Sequence, residues 1–184
     1  MPLVTPTLTT NRLTLRPISA ADRDAIVAIQ SDAAALEFWD EPAWTDAARF
    51  DRFLARSAAM AQDDEGIRLA IVRRDGGEVV GWCALNGWNP TYRTVGLCYS
   101  LARHAWGQGI GTETARALVG WAFTELGVNR VQAETDTRNH ASARILGKLG
   151  FTREGTLRED CVVDGVVSDS WVFGLLRREW TTTR

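Results

Sequence analysis

The sequence predicts a single mixed α/β domain with a mostly antiparallel central sheet and about four helices. Two apolar segments, 68–73 and 78–85, flank the turn Asp75-Gly76-Gly77, which is typical of an antiparallel hairpin. Further along, strands alternate with helices, which predicts crossovers of the β-α-β type. The 184 residues are 45% hydrophobic and 24% charged, so they can fill one core but are few for two domains.

A short strand and two helices are expected before this meander. Leu13 to Arg16 alternates apolar and polar side chains, which predicts a strand. Ser19 and Thr45 are the expected N-cap residues of helices over 20–32 and 46–61. The elements predicted beyond the hairpin are strand 94–101, a helix that follows the glycines at 107–111 and ends at Gly127, strand 131–135, helix 139–149, and strands 151–163 and 168–176 around the turn Asp164-Gly165.

Composition disfavours several classes of partner and ligand. A net charge of −2 disfavours a general nucleic-acid binder, which is usually basic. Three cysteines far apart in the chain, together with two histidines, favour a reducing compartment and predict neither a disulfide framework nor a metal site. The first ten residues lack the pattern of a signal peptide. The sequence contains no apolar run of 18 residues, so no membrane span is predicted. We expect a cytoplasmic protein that uses no metal and contacts neither nucleic acid nor membrane.

One glycine-rich stretch, from Trp106 to Glu113, predicts a phosphate site. Gly107, Gly109 and Gly111 allow the backbone to approach a ligand closely, and the start of the next helix carries free N–H groups. The stretch lacks the Lys-Ser/Thr pair of a P-loop. Thr112 stands where a dinucleotide-binding fingerprint has its third glycine, and an antiparallel meander precedes the stretch, which disfavours a Rossmann half.

Three segments together resemble the GNAT superfamily of acyl-CoA-dependent N-acetyltransferases. They are residues 101–113, the sequence Asn139-His140-Ala141-Ser142, and the sequence Lys148-Leu149-Gly150-Phe151. The likeness extends from Arg12 to Trp180 and looks closest to the RimJ/RimL-like branch. That branch contains protein N-terminal acetyltransferases and many small-amine acetyltransferases. The resemblance implies one GNAT-type domain over 1–184, with its core at about 11–180 and a twisted sheet in which two strands splay at the CoA site.

The resemblance also implies how acetyl-CoA, as co-substrate, would bind. Backbone N–H groups from Gly107 to Thr112 would hold the pyrophosphate, and the pantetheine arm would pair with the strand end near Leu101 and Ala102. Asn139 would contact the pantetheine amides, although it is also a good helix N-cap in its own right. The implied CoA-binding residues are Leu101, Ala102, Trp106, Gly107, Gln108, Gly109, Ile110, Gly111, Thr112, Asn139 and Ser142.

The resemblance names a candidate acid, and the residues leave the base open. Many superfamily members use a tyrosine to protonate the leaving thiolate, but Leu146 occupies that position here, and the RimL-like branch implies that Ser142 takes the role. The RimL-like branch implies a glutamate as base on the strand after the fourth helix, and Cys161 occupies that position here. If the strand alternates regularly, Glu159 lies on the same face as Cys161, so Glu159 is the candidate base. Asp160, Asp169, or a water chain without a dedicated base are the alternatives.

The acceptor is expected opposite CoA, near residues 37–44. This segment combines aromatic and acidic side chains, so Trp39, Asp40 and Trp44 are candidate substrate-binding residues that would attract a cationic amine. The alternative is a loop whose tryptophans only pack onto the core. No activated nucleophile is evident, which favours direct transfer from acetyl-CoA to a primary amine, either a protein N-terminus or a small molecule. A catalytically silent CoA-binding sensor is the competing hypothesis. Members of the branch often form homodimers, but no segment here specifies an interface.

Overall fold

The computed structural model describes residues 3–180, so the outermost residues of the predicted 1–184 domain, 1–2 and 181–184, lie outside the described part. The strands are β1 (Leu8–Thr9), β2 (Leu13–Pro17), β3 (Ile67–Arg73), β4 (Val79–Asn89), β5 (Thr94–Leu101), β6 (Arg130–Asp136), β7 (Thr152–Val163) and β8 (Val166–Leu176). The α-helices are α1 (Arg23–Gln30), α2 (Arg49–Gln62), α3 (Ile110–Thr124) and α4 (His140–Lys148).

The strands form one sheet in the order β1-β2-β3-β4-β5-β6-β8-β7. The pair β5–β6 is parallel, and the other neighbouring pairs of the described sheet are antiparallel. β5 and β6 pair at three positions, from Thr94↔Arg130 to Gly96↔Gln132, although both strands continue beyond them. The predicted mixed, mostly antiparallel sheet with four helices and a strand splay is therefore confirmed.

Helices cover both faces of the sheet. On one face, Leu118 of α3 and Leu146 of α4 belong to a cluster that includes Leu85 of β4, and all three side chains are buried. On the other face, Ile26 of α1 and Phe50 of α2 pack against Trp82 of β4. Burial of apolar side chains is the main favourable term in folding, and each large apolar side chain contributes roughly 1.5–3 kcal/mol. The splay between β5 and β6 opens between these two layers.

The helix boundaries differ from the predicted ones at α2. Thr45 is not an N-cap, because the helix begins at Arg49 after Ala48. The Asp46 carboxylate accepts the N–H of Ala48 at 2.8 Å, and this local turn delays the helix. Ser19 does cap a helical turn, a short 3-10 segment that precedes α1. Two-residue β1 was not predicted, since it is too short to show a periodic pattern.

None of the helices within residues 3–180 is long and apolar enough to cross a membrane.

A nearly buried ion pair ties β2 to the start of α1. Asp22 is 2% exposed, and its carboxylate accepts hydrogen bonds from Arg16 Nη1 and Nη2 at 2.8 and 2.6 Å and from the Ser19 N–H at 2.8 Å. Burial opposes the ionisation of Asp22, but the hydrogen bonds from Arg16 and Ser19 outweigh it and hold the pKa of this carboxyl below its ordinary value.

We expect Asp22→Asn to lower the free energy of unfolding by about 2 kcal/mol at pH 7, because it weakens a charged, hydrogen-bonded network. For a chain of this size that is a fall in Tm of roughly 4–8 °C. Because the folded pKa is depressed, the contribution is present at neutral pH, and the difference between the proteins should shrink below about pH 4. Thermal denaturation across pH measures it. Asp51→Asn, which removes an exposed partner of Arg23, is the control and should change Tm little.

Candidate active site

A continuous cavity of about 1210 Å³ runs from the glycine loop, through the splay, to the face covered by α1 and α2. Most of the candidate residues predicted from the sequence line it: Trp39, Asp40, Trp44, Leu101, Trp106, Gly107, Gly109, Ile110, Gly111, Thr112, Asn139 and Ser142. Ala102, Gln108 and Glu159 are the candidates that do not, within the described part of the chain. The cavity thus brings together candidate residues that are about a hundred positions apart in sequence, such as Trp39 and Ser142.

The glycine loop has the backbone that a phosphate cradle requires. Gly107 and Gly109 adopt φ of 72° and 77°, a left-handed conformation that is costly for residues with a Cβ. Gly109 is the N-cap of α3, and its carbonyl accepts the first intrahelical bond, from the Glu113 N–H at 3.0 Å. The N–H groups of the three residues before Glu113 therefore remain available at the positive end of the helix. This arrangement fits the pyrophosphate of CoA.

Side chains hold the loop from outside the cavity. Arg12 donates to the Gln108 carbonyl at 2.8 Å and to the Glu113 carboxylate at 2.7 Å, and the Thr10 hydroxyl donates to Glu113 at 2.6 Å. Burial opposes the ionisation of Glu113, but bonds from Thr10 and Arg12 outweigh it and lower its pKa. The Gln108 side chain accepts from Arg73 at 2.7 Å, so it braces the loop and is turned away from the ligand.

The open edge of β5 lies at the splay, but Ala102 is not part of it. The Ala102 N–H donates to the Val80 carbonyl of β4 at 2.9 Å, because pairing with β4 continues to the end of β5. Alternate residues of a strand present their backbone groups to the same edge, so Tyr99 and Leu101 face the splay instead. The Leu101 carbonyl accepts the Trp106 indole N–H at 3.0 Å. The Ala102 N–H is therefore not free to pair with pantetheine, and the pairing stays a prediction, now for the backbone near Tyr99 and Leu101.

Helix α4 supplies the opposite wall. The Asn139 side chain accepts the Ser142 N–H at 3.0 Å, so Asn139 is the N-cap of α4. The Ser142 hydroxyl lies 3.0 Å from the Tyr99 hydroxyl, and the two are hydrogen-bonded. Burial raises the pKa of Tyr99 to about 12, and this bond only partly offsets the rise. Tyr99 was missed in the sequence, since it lies 43 residues away on a strand and no local pattern links it to Ser142.

A bulge in β7 overturns the alternation used to select Glu159. Leu157 pairs with Ser170 and Cys161 with Ser168, so β7 has extra residues between these positions. Glu159 takes a φ of 53°, and its N–H donates to the Asp169 carboxylate at 2.8 Å. Asp160 lines the cavity beside Cys161, and Glu159 does not. The assumption of a regular strand was therefore wrong, and a catalytic role for Glu159 stays an untested prediction.

Aromatic rings form the wall on the α1–α2 side. Trp39 meets Trp82 edge-on with centroids 5.4 Å apart, and Phe53 meets both Trp82 and Trp44 in the same way at 5.5 and 5.6 Å. Trp44 is 6% exposed and belongs to the core under this wall. Asp40 lies at the cavity edge of the same segment. The wall can enclose the apolar part of a small molecule.

No group of three or more metal-ligating side chains occurs within residues 3–180.

Residues 12–152 match the acetyltransferase (GNAT) domain family. The chain belongs to the GNAT acetyltransferase family. It is 29% identical over 174 residues to an uncharacterized N-acetyltransferase, p20, of Bacillus licheniformis, covering 95% of this chain and 98% of that protein. It is 30% identical over 172 residues to the uncharacterized N-acetyltransferase YoaA of Bacillus subtilis, covering 94% and 97%.

A solved member of the fold is Mycobacterium smegmatis RimJ in complex with CoA-disulfide. It superposes with a TM-score of 0.84 at 23% identity, covering 95% of this chain and 88% of that one. The GNAT resemblance drawn from the glycine loop is thus confirmed, and the protein is an acyltransferase of the N-acetyltransferase type that uses acetyl-CoA.

We expect Gly109→Val to weaken CoA binding by roughly tenfold or more, because a β-branched residue disfavours the φ of 77° and turns the helix N–H groups away from the phosphate. Calorimetric titration of CoA into each protein measures the effect. Gly127→Val introduces comparable strain, at a φ of 69° outside the cavity, and should leave CoA affinity unchanged. Equal affinity of both variants and the parent would contradict the placement of the pyrophosphate.

Proposed function

We propose that this GNAT acetyltransferase transfers the acetyl group directly from acetyl-CoA to a primary amine in a ternary complex. The observation that carries the proposal is that one continuous cavity joins the glycine loop to the aromatic wall through the splay between β5 and β6. Donor and acceptor bound at its two ends meet at the splay. Holding both reactants in one cavity supplies much of the rate enhancement of a bimolecular transfer.

The state of one of the two cysteines that line the cavity disfavours a covalent carrier on the protein. Cys98 lies on β5 and lines the cavity. Burial raises the pKa of its thiol to about 11, and the neighbouring Arg68 charge only partly offsets this. The nucleophilic form of cysteine is the thiolate, so Cys98 is largely inactive at neutral pH. Direct attack by the amine is the simpler route.

Two hydroxyl groups are positioned for the departing sulfur. In the transfer, the amine nitrogen forms a bond with the thioester carbonyl carbon, and the carbon–sulfur bond then breaks. Ser142 donates a hydrogen bond to the developing thiolate and Tyr99 donates to Ser142, which spreads the charge over both groups. The raised pKa of Tyr99 keeps this phenol protonated across the physiological range.

The proton that the amine loses needs an acceptor. Among the carboxylates that line the cavity, Glu41 is paired with Arg49 and Asp136 with Arg138. The other lining carboxylates form no ion pair within residues 3–180; they are Glu37, Asp40, Glu134 and Asp160. Of these, the proposal favours as base Asp40, next to Trp39 of the aromatic wall, or Asp160, beside Cys161, acting directly or through water.

The proposed activity is tested by measuring release of the CoA thiol from acetyl-CoA with a panel of primary amines and of peptides with free N-termini. We expect turnover with at least one member and a mass increase of one acetyl group on the amine. CoA binding without turnover on any acceptor would instead identify a catalytically silent sensor.

We expect Ser142→Ala to lower kcat by about a hundredfold, as loss of a hydrogen-bond donor to developing negative charge does, and Tyr99→Phe to lower it by roughly tenfold, as loss of one supporting hydrogen bond does. CoA affinity should change little in both. Because the residues act as a unit, the double variant should be no slower than Ser142→Ala. Tyr92→Phe, at a tyrosine that is 73% exposed and does not line the cavity, is the matched control. Full kcat in Ser142→Ala would remove this residue from the mechanism.

A further inference from the structure

One arginine on the acceptor side of the cavity has few hydrogen-bond partners in the described part of the chain. Arg68 of β3 lines the cavity and donates one hydrogen bond, from Nη1 to the Ser57 hydroxyl at 3.2 Å. Its Nε is buried and has no hydrogen-bond partner within residues 3–180. A guanidinium has five N–H donors and no means of losing its charge at ordinary pH. Most of the donors of Arg68 are therefore unmatched.

Two neighbouring arginines of the cavity, Arg49 and Arg56, differ from Arg68. Arg49 forms an ion pair with Glu41 at 2.9 Å, and Arg56 forms one with Glu65. Arg68 forms no ion pair in the described part of the chain, and Glu41 affects it only at longer range. Its guanidinium instead lies over the rings of Phe53 and Trp82, with carbon-to-centroid distances of 4.3 and 5.1 Å.

This environment restricts the position of the guanidinium without neutralising its charge. Contact with two aromatic rings limits where the group can lie, but it satisfies none of the N–H donors. Burial lowers the pKa of Arg68, which reflects the cost of keeping the charge there. A partly buried and unpaired guanidinium is complementary to a carboxylate, which can accept two of its N–H groups side by side.

Arg68 also lies in line with the point of transfer. Its partner across the sheet is Ala84, and the partner of Ala84 is Cys98 on β5, at the edge of the splay. Neighbouring strands are about 4.8 Å apart, so β3 lies roughly 10 Å from β5. A small molecule can therefore span the distance from the guanidinium to the splay.

We infer that Arg68 binds a carboxylate of the acceptor, so that the acceptor is a small amino acid-like amine with its apolar part against Trp39, Phe53 and Trp82. The inference rests on the proposed function, because it concerns the acceptor end of the same cavity. An amine that carries only positive charge is disfavoured there, since it would lie beside an unneutralised cation. Arg68 thus selects the acceptor by its charge.

The test compares acids with their neutral amides. The twenty amino acids, a series of ω-amino acids and the corresponding carboxamides, with spermidine as an anion-free amine, are titrated calorimetrically into the protein saturated with CoA. CoA carries no acetyl group, so binding is measured without turnover. Thiol release from acetyl-CoA is then measured with the same compounds. We expect at least one acid to bind roughly 10–100-fold more tightly than its amide, as for a charged, bidentate contact.

Variants assign this preference to one residue. Arg68→Met keeps most of the length and the apolar contacts of the side chain. It should lower affinity for the preferred acid by roughly 10–100-fold and leave affinity for the amide within about threefold. Arg68→Lys keeps a point charge and should fall between the two. Arg116→Met is the matched control, because Arg116 stacks on Trp180 at 5.8 Å outside this cavity. It should retain the preference for the acid.

The outcomes separate the two proposals. If no acid binds the unmodified protein better than its amide, or if Arg68→Met weakens acid and amide equally, Arg68 is a packing residue and the inference is overturned. If acids bind selectively through Arg68 but no amine releases the CoA thiol, the inference stands and the proposed transfer fails. Selective binding with matching selectivity in kcat/KM supports both.

Discussion

The separation of β5 from β6 is the constraint on which the site depends. The strands pair at three positions and then part, which exposes backbone groups that a continuous sheet would satisfy. The opening persists because each strand is held on its other side, β5 at seven positions by β4 and β6 at seven positions by β8. Leu118 and Leu146 cover one face of this region with buried side chains. A gap framed in this way is rigid, so a ligand can pair with its edges without reorganising the sheet.

The glycine loop is likewise held in place by contacts from neighbouring segments. Its glycines adopt left-handed conformations without steric cost, and its helix N–H groups have no partner from the first turn of the helix, so contacts from neighbouring segments hold the loop in shape. Arg12, Gln108 and Glu113 provide those contacts from outside the cavity. Because the bracing side chains are separate from the binding surface, the loop can be both fixed in shape and free of bulky groups. The shape of the loop is therefore supported by contacts within the protein itself.

Local sequence patterns predicted the parts of the structure that local forces determine. Alternating side chains located β2, an apolar segment beside a glycine turn located β3, the glycines located the loop before α3, and Asn139 was recognised as a cap. The predictions failed where distant segments decide the outcome. The bulge in β7 depends on its pairing with β8, and it reversed which of Glu159 and Asp160 lines the cavity. The bond between Tyr99 and Ser142 joins a strand to a helix 43 residues away, which no periodicity encodes.

The charge of the acceptor wall is a further property that the local sequence could not predict. The acidic residues around Trp39 suggested a pocket for a cation, because composition counts charges and cannot show which of them are neutralised. In the folded chain Glu41 is paired with Arg49, whereas Arg68 forms no ion pair within residues 3–180 and lies over two rings on an apolar strand. A paired charge contributes little to the field in a cavity, whereas an unpaired charge in a poorly solvated site contributes strongly. The field that an acceptor meets therefore depends on which charges are paired, and Arg68 gives its part of the wall a sign opposite to the one that the loop sequence suggests.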